Sequence, residues 1–199
     1  MIDAPLKTRD GRDAATLRVV VGMTGASGAI YGVDFLRRFP GETHMVVSKW
    51  AKMVIHTETG LSDKDLEAMA KTVHADHDLS SPFASGSIRH DACLILPASA
   101  STVGKIAAGI GDTLITRMAQ VALKERMPLI VGLRETPLST ITLEALHRLS
   151  LAGAIIFPLS PGFYGLPKTL DDLVAGTTAK LMRLVGVDVP GGWRETDLE

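Results

Sequence analysis

Three short stretches carry residue types suited to a phosphorylated ligand. Gly25-Ala26-Ser27-Gly28 follows the apolar run LRVVVGM (17–23) and precedes a segment of helical period. Small residues at a strand-to-helix junction let backbone amides face outward, and Ser27 adds a hydroxyl near the helix N-terminus, so the stretch can cradle an anion. A tight turn with an N-cap uses the same residues. The pattern is not GxGxxG, and no Gly-Lys-Ser/Thr follows to make a Walker loop. Pro97-Ala98-Ser99-Ala100-Ser101-Thr102 ends another apolar run and offers Ser99, Ser101 and Thr102 where capping alone needs one hydroxyl. Two such loops at one sheet edge point to ligand binding. The third stretch, Arg134-Glu135-Thr136-Pro137, sets a guanidinium beside a carboxylate. A rim ion pair is its plain reading and contributes little. Arg117, Lys124 and Lys180 add cations and Phe163-Tyr164-Gly165 a phenol. Cations around a phosphate, with a carboxylate as proton relay, need these residue types.

The elements that must position these residues follow from periodicity. Apolar runs at 17–23, 43–48, 92–97 and 128–133, with 153–158 as a fifth, predict buried strands. Helical patterns lie between them at 29–39, 49–57, 63–73, 102–126 (one helix or two), 141–152 and 170–185, with a loop over 74–87. Strands apolar along their whole length and alternating with helices predict an α/β fold, a parallel sheet covered on both faces. Such sheets bind ligands beyond the carboxyl ends of their strands, where the three stretches fall.

The chain has 199 residues, 46% of them hydrophobic and 22% charged, with a net charge of −1. These figures predict one globular domain over 17–187, a flexible N-terminal tail over 1–16, and a C-terminal tail or lid over 188–199. No basic excess favours nucleic acid as a partner. No run reaches about 18 apolar residues, and the polar start lacks a signal-peptide pattern. The lone Cys93, inside ACLILP, excludes an internal disulfide and suits a cytoplasmic protein.

GASGAIYG, SKWAK, TETG, ASGS, LITR, LKER, RETPL and PGFYGLP, in this order from about Leu17 to Val187, resemble the UbiX-type flavin prenyltransferases. The resemblance implies a single Rossmann or flavodoxin-like domain, typically assembled as a homododecamer built from trimers. It implies transfer of a dimethylallyl group from dimethylallyl monophosphate to N5 and C6 of reduced FMN. The product is prenylated FMN for a UbiD-type decarboxylase, formed without a metal. By resemblance, Gly25, Ala26, Ser27, Ser48, Ser99, Ala100, Ser101, Thr102 and Arg134 bind FMN. Tyr164, Lys180, Arg117 and Lys124 hold the prenyl phosphate. Glu135, Lys124 and Ser27 are catalytic, as is Glu58, a carboxylate that the family contributes across a subunit boundary.

The chain departs from the pattern at Lys180, usually arginine, at Met127, where arginine is frequent, and at Ala98, where cysteine is common. PASAST also leans toward the PASANT loop of cysteine decarboxylases, which stay open as an alternative beside a non-catalytic FMN carrier. Their PxMNxxMW segment and the histidine before the third apolar run are missing. Other polar groups have ordinary readings next to functional ones. His74 and His77 with Asp76 or Asp78 read as a polar loop before they read as metal ligands. Asp171-Asp172 reads as the first turn of the last helix. Trp50 serves packing or a flavin wall, Ser85-Gly86-Ser87 a turn or a substrate loop, and Trp193 a tail or a lid.

Overall fold

Strands without a polar face need cover on both sides, and the chain supplies it from alternate connections. In the computed structural model, which describes residues 5–191, six strands form one parallel sheet. They are β1 (Arg18–Met23), β2 (Glu42–Val47), β3 (Thr72–Ala75), β4 (Ala92–Ala98), β5 (Leu129–Leu133) and β6 (Ile155–Pro158). The helices are α1 (Ala29–Arg38), α2 (Lys49–Thr59), α3 (Asp63–Glu67), α4 (Ala100–Ala107), α5 (Leu114–Lys124), α6 (Thr140–Leu151) and α7 (Leu170–Val185). The side chains of β1 alternate between two cores. Val19, Val21 and Met23 pack with Phe35 of α1 and Leu181 of α7, while Val20 packs with Val103 of α4, Met118 of α5 and Leu149 of α6.

The strand order is β3-β2-β1-β4-β5-β6, the Rossmann order, with its switch point between β1 and β4. The α/β expectation holds, with one correction in the region 63–87. The helix expected over 63–73 stops at Glu67, and Thr72–Ala75, assigned to that helix and the following loop, is an edge strand parallel to β2. The capping box of Ser62 and Asp65 starts α3, and the chain then turns to place Lys71 N–H on Thr43 O at 2.8 Å. Without β3 the remaining five strands stand in the flavodoxin-like order, so the two fold names differ here by one short strand. The region 102–126 holds two helices, α4 and α5.

The segment expected as an N-terminal tail makes contacts from residue 6 onward, where Leu6 O accepts from Ala14 N–H at 3.0 Å. Lys7 bridges Asp13, Thr8 bridges Val187 beyond α7, and Ala14 is fully buried. Trp193 lies outside the described residues.

Candidate active site

Three strand ends and the helices they feed converge at the switch point. After β1, Gly28 adopts φ +97°, a conformation that favours glycine, and turns the chain into α1. Gly25 passes so close to α2 that a Cβ there would lie 2.6 Å from Trp50 Cβ. After β2, Ser48 caps α2, its Oγ accepting from Ala51 N–H at 3.1 Å. After β4, Ser99 caps α4, its Oγ accepting from Thr102 N–H at 3.3 Å. A cleft of about 410 Å³ lies between these ends, with Thr24, Gly25, Ser48, Trp50, Ser101 and Thr102 in its wall. A cleft of this size suits a cofactor-sized ligand, and the helix N-termini and hydroxyls in its wall suit an anionic one.

Arg134, just past β5, ties the rim together. Its backbone N–H donates to Ala98 O and its Nε to Ser27 O, each at 3.3 Å, so the residue bonds both loops and its guanidinium lies against the glycine-rich one. Glu135 follows it, exposed, with Oε1 accepting from Thr136 N–H at 2.9 Å. Glu58, expected from a neighbouring subunit, is bonded within its own chain. Its carboxylate accepts from Gly28 N–H at 2.9 Å and from Ala29 N–H at 2.8 Å, at the opening of α1. The α1 terminus therefore already carries an anion, one the helix dipole favours. The α2 and α4 termini, with Ser48, Ser99, Ser101 and Thr102, remain in the cleft wall. Ala26 is buried beneath the loop and Ala100 opens α4.

The expected phosphate-binding cations do not gather in this cleft. Arg117 lies in the first turns of α5 and donates from Nε to Ala84 O at 3.3 Å, beside a separate cavity of about 410 Å³ lined by Ser80, Ser81 and Ser85. Lys124 ends α5, where it pairs with Glu125 near Gly86. Ten residues separate it from Leu114 at the start of that helix, about 15 Å at the helical rise. Lys180 stands equally far along α7 from Leu170, about 15 Å by the same rise. Thr178, two positions before it, donates to Asp34 Oδ2 at 2.6 Å and so anchors this part of α7 to the middle of α1. Both helices begin at the carboxyl edge of the sheet and run away from it. Tyr164, by contrast, lies in the β6–α7 loop at that edge, largely exposed. One chain thus supplies one part of the expected residue set near the cleft and presents Lys124 and Lys180 elsewhere.

Thr24, Asp76, Lys105, Thr113, Ile115 and Thr116 of the wall escape a reading of the sequence. Thr24, buried at the end of β1, bonds the β4–α4 loop, and Asp76 caps α5, its Oδ1 accepting from Ile115 N–H at 2.8 Å. Asp172 is also engaged, accepting from Lys168 and Thr169 N–H at 2.9 and 3.0 Å, which gives Asp171-Asp172 the helix-opening role expected of it.

Residues 7–183 match the flavoprotein family. A flavin prenyltransferase UbiX of Thermoplasma acidophilum is 48% identical over 172 residues, covering 86% of this chain and 96% of that protein. The chain belongs to the UbiX flavin prenyltransferases. Among solved structures of this family, AnUbiX (PadA1) in complex with FMN and dimethylallyl pyrophosphate superposes with a TM-score of 0.84 at 39% identity, covering 89% of this chain and 99% of the other. The dodecameric FMN-dependent UbiX-like decarboxylase of Escherichia coli O157:H7 gives a TM-score of 0.84 at 41% identity, covering 87% and 96%. In this chain the cleft at the switch point stands where an open α/β sheet receives a ligand.

Proposed function

We propose that this chain transfers the dimethylallyl group of dimethylallyl monophosphate to N5 and C6 of reduced FMN, releasing phosphate and supplying prenylated FMN to a UbiD-type decarboxylase. The observation that carries the reading is the convergence of the capping residues Ser48 and Ser99 on one cleft at the β1–β4 switch point, with Arg134 bonded to the loops that flank it. Ser48 and the Ser99–Thr102 loop bind FMN through helix N-termini and hydroxyls, with Gly25, Ala26 and Ser27 forming the opposite wall. Reduced FMN brings the electron-rich N5 and C6. Arg134 closes the rim over both loops.

Lys124, Lys180, Arg117 and Tyr164 hold the prenyl phosphate in this reading. As the allylic carbon–oxygen bond breaks, the electron pair leaves with phosphate, and these cations stabilise the growing charge. The prenyl carbon that loses phosphate bonds to N5, which gives up its proton. The remaining double bond takes up a proton and bonds through its other end to C6. Glu135 accepts the proton that C6 loses, so that one proton leaves overall with the phosphate. The cations do what magnesium does for prenyl diphosphates elsewhere. Asp172, of the single adjacent aspartate pair, is already spent on the start of α7. Because Lys124 and Lys180 stand a helix length from the cleft, the complete site takes residues from more than one subunit. A homododecamer provides that arrangement. The largely exposed Ile141 and Leu151, beside a groove between α4 and α6, support burial of this face against other copies.

The chain acts in the cytoplasm, a reading supported by its lone, buried Cys93, whose thiol burial pushes up out of the reactive range. The test is phosphate release under anaerobic conditions. Release from dimethylallyl monophosphate that requires reduced FMN and fails with oxidised FMN is the expected result. Release without flavin would indicate a phosphatase. Flavin binding without release from either the monophosphate or the diphosphate would indicate a carrier.

A further inference from the structure

The Thr24 hydroxyl spends both its donor and its acceptor capacity on a single neighbouring loop. Its Oγ1–H donates to Pro97 O at 2.8 Å, the same Oγ1 accepts from Ser99 N–H at 2.8 Å, and the Thr24 backbone N–H donates to Pro97 O at 3.2 Å. The side chain is 4% exposed. It sits where the sheet needs a tie. The β4–β5 register shifts between Ile95 and Ala98, around a proline that has no N–H to give to a ladder. Ser99 is in turn the cap of α4, and Gly25, the next residue after Thr24, opens the loop to α1.

We infer that Thr24 is a positioning residue for flavin binding: it locks the β1–α1 loop to the β4–α4 loop and so fixes the spacing between the two walls of the cleft. The inference rests on the FMN reading above and adds to it a residue that faces the ligand's frame rather than its charge. Valine is nearly isosteric with threonine and keeps the backbone bond, but it removes both side-chain bonds and leaves a half-buried Ser99 N–H without its partner. Serine keeps both bonds.

The experiment titrates oxidised FMN into the full-length wild type, Thr24→Val, Thr24→Ser and Val20→Ala, following flavin fluorescence and the visible absorption band, with a melting curve for each. Val20 is buried further back in β1 and serves as a control for stability alone. Thr24→Val should weaken FMN binding by roughly tenfold or more and alter the band shape of bound flavin. Thr24→Ser should bind within about threefold of wild type. Val20→Ala should lose melting temperature without the change in band shape. Wild-type affinity and spectrum in Thr24→Val would overturn the inference. So would an affinity loss that Val20→Ala reproduces at equal melting temperature, or one that serine fails to restore. If Thr24→Val does not fold, hydrogen exchange in the flavin-free wild type decides. Protection of the Ser99 amide like that of β4 supports the tie, and exchange at the rate of an open loop contradicts it. A wild type that binds no FMN at all would instead count against the function proposed above.

Discussion

Glu58, near the end of α2, rests its carboxylate on the amide of Gly28, which opens α1, at 2.9 Å. A second bond at 2.8 Å to Ala29 N–H makes it a charged cap supplied by a neighbouring helix of the same chain. α1 has no cap from its own N-cap residue, since Gly28 has no side chain. Glu58 therefore does for α1 what Ser48 and Ser99 do for α2 and α4.

Glu58→Ala should lower stability by about 1–2 kcal/mol, the loss expected when charge-assisted bonds at a helix terminus are removed. Glu58→Gln should lose less, because its amide oxygen still accepts. Denaturant melts of the two variants beside wild type check the order. Equal stability of Glu58→Ala and wild type would mean that water serves these amides as well.

Much of this cap-and-cleft pattern is legible in sequence, and the reason is local. Ser48 and Ser99 each follow an apolar run directly, so a hydroxyl at the handover from strand to helix identifies itself. β3 does not, because Thr72-Val73-His74-Ala75 is short, half exposed and polar at alternate positions, as an edge strand can be. Thr24 looks like any strand-ending threonine until the β4–α4 loop is beside it. Asp76 reads as one acid among histidines, and its role exists only because α5 starts against it. Lys124 and Lys180 are plainly cations in the sequence, but their distance from the cleft depends on the direction in which α5 and α7 run.

That distance yields the second prediction. If subunits complete one another's sites, Arg134→Ala and Lys124→Ala should each be nearly inactive alone. Co-assembled from mixed, refolded or co-expressed chains, they should recover a measurable fraction of wild-type activity, since some sites draw both intact residues from different chains. No recovery in mixed oligomers confirmed by mass would contradict a shared site.

Acid should weaken the fold in two steps. His90 is buried beside Phe83, and burial lowers its pKa below the ordinary 6.5, against a smaller opposing pull from the Ile88 backbone and Asp91. His74, against the same ring, is lowered chiefly by burial as well. The unfolded chain then binds these protons more tightly than the folded one. Their full contribution is present above about pH 6.5 and is lost as pH falls toward the folded values. Glu42, held at about 2 by Lys71 first and then His44 and Arg18, contributes above its ordinary 4.5 and loses that share between there and about 2. The melting temperature should fall between about pH 7.5 and 5.5, and His90→Phe should flatten that slope. An unchanged slope in the variant would remove His90 from the account.

The most direct measurement is the mass of the flavin itself. Purified protein is incubated anaerobically with reduced FMN and dimethylallyl monophosphate, the flavin is extracted and weighed, and Glu135→Gln is treated in parallel. The account predicts a flavin heavier by one five-carbon prenyl unit in the wild type, and little or none of the ring-closed product in the variant. Unmodified flavin from a wild type that demonstrably binds both FMN and the donor would contradict it.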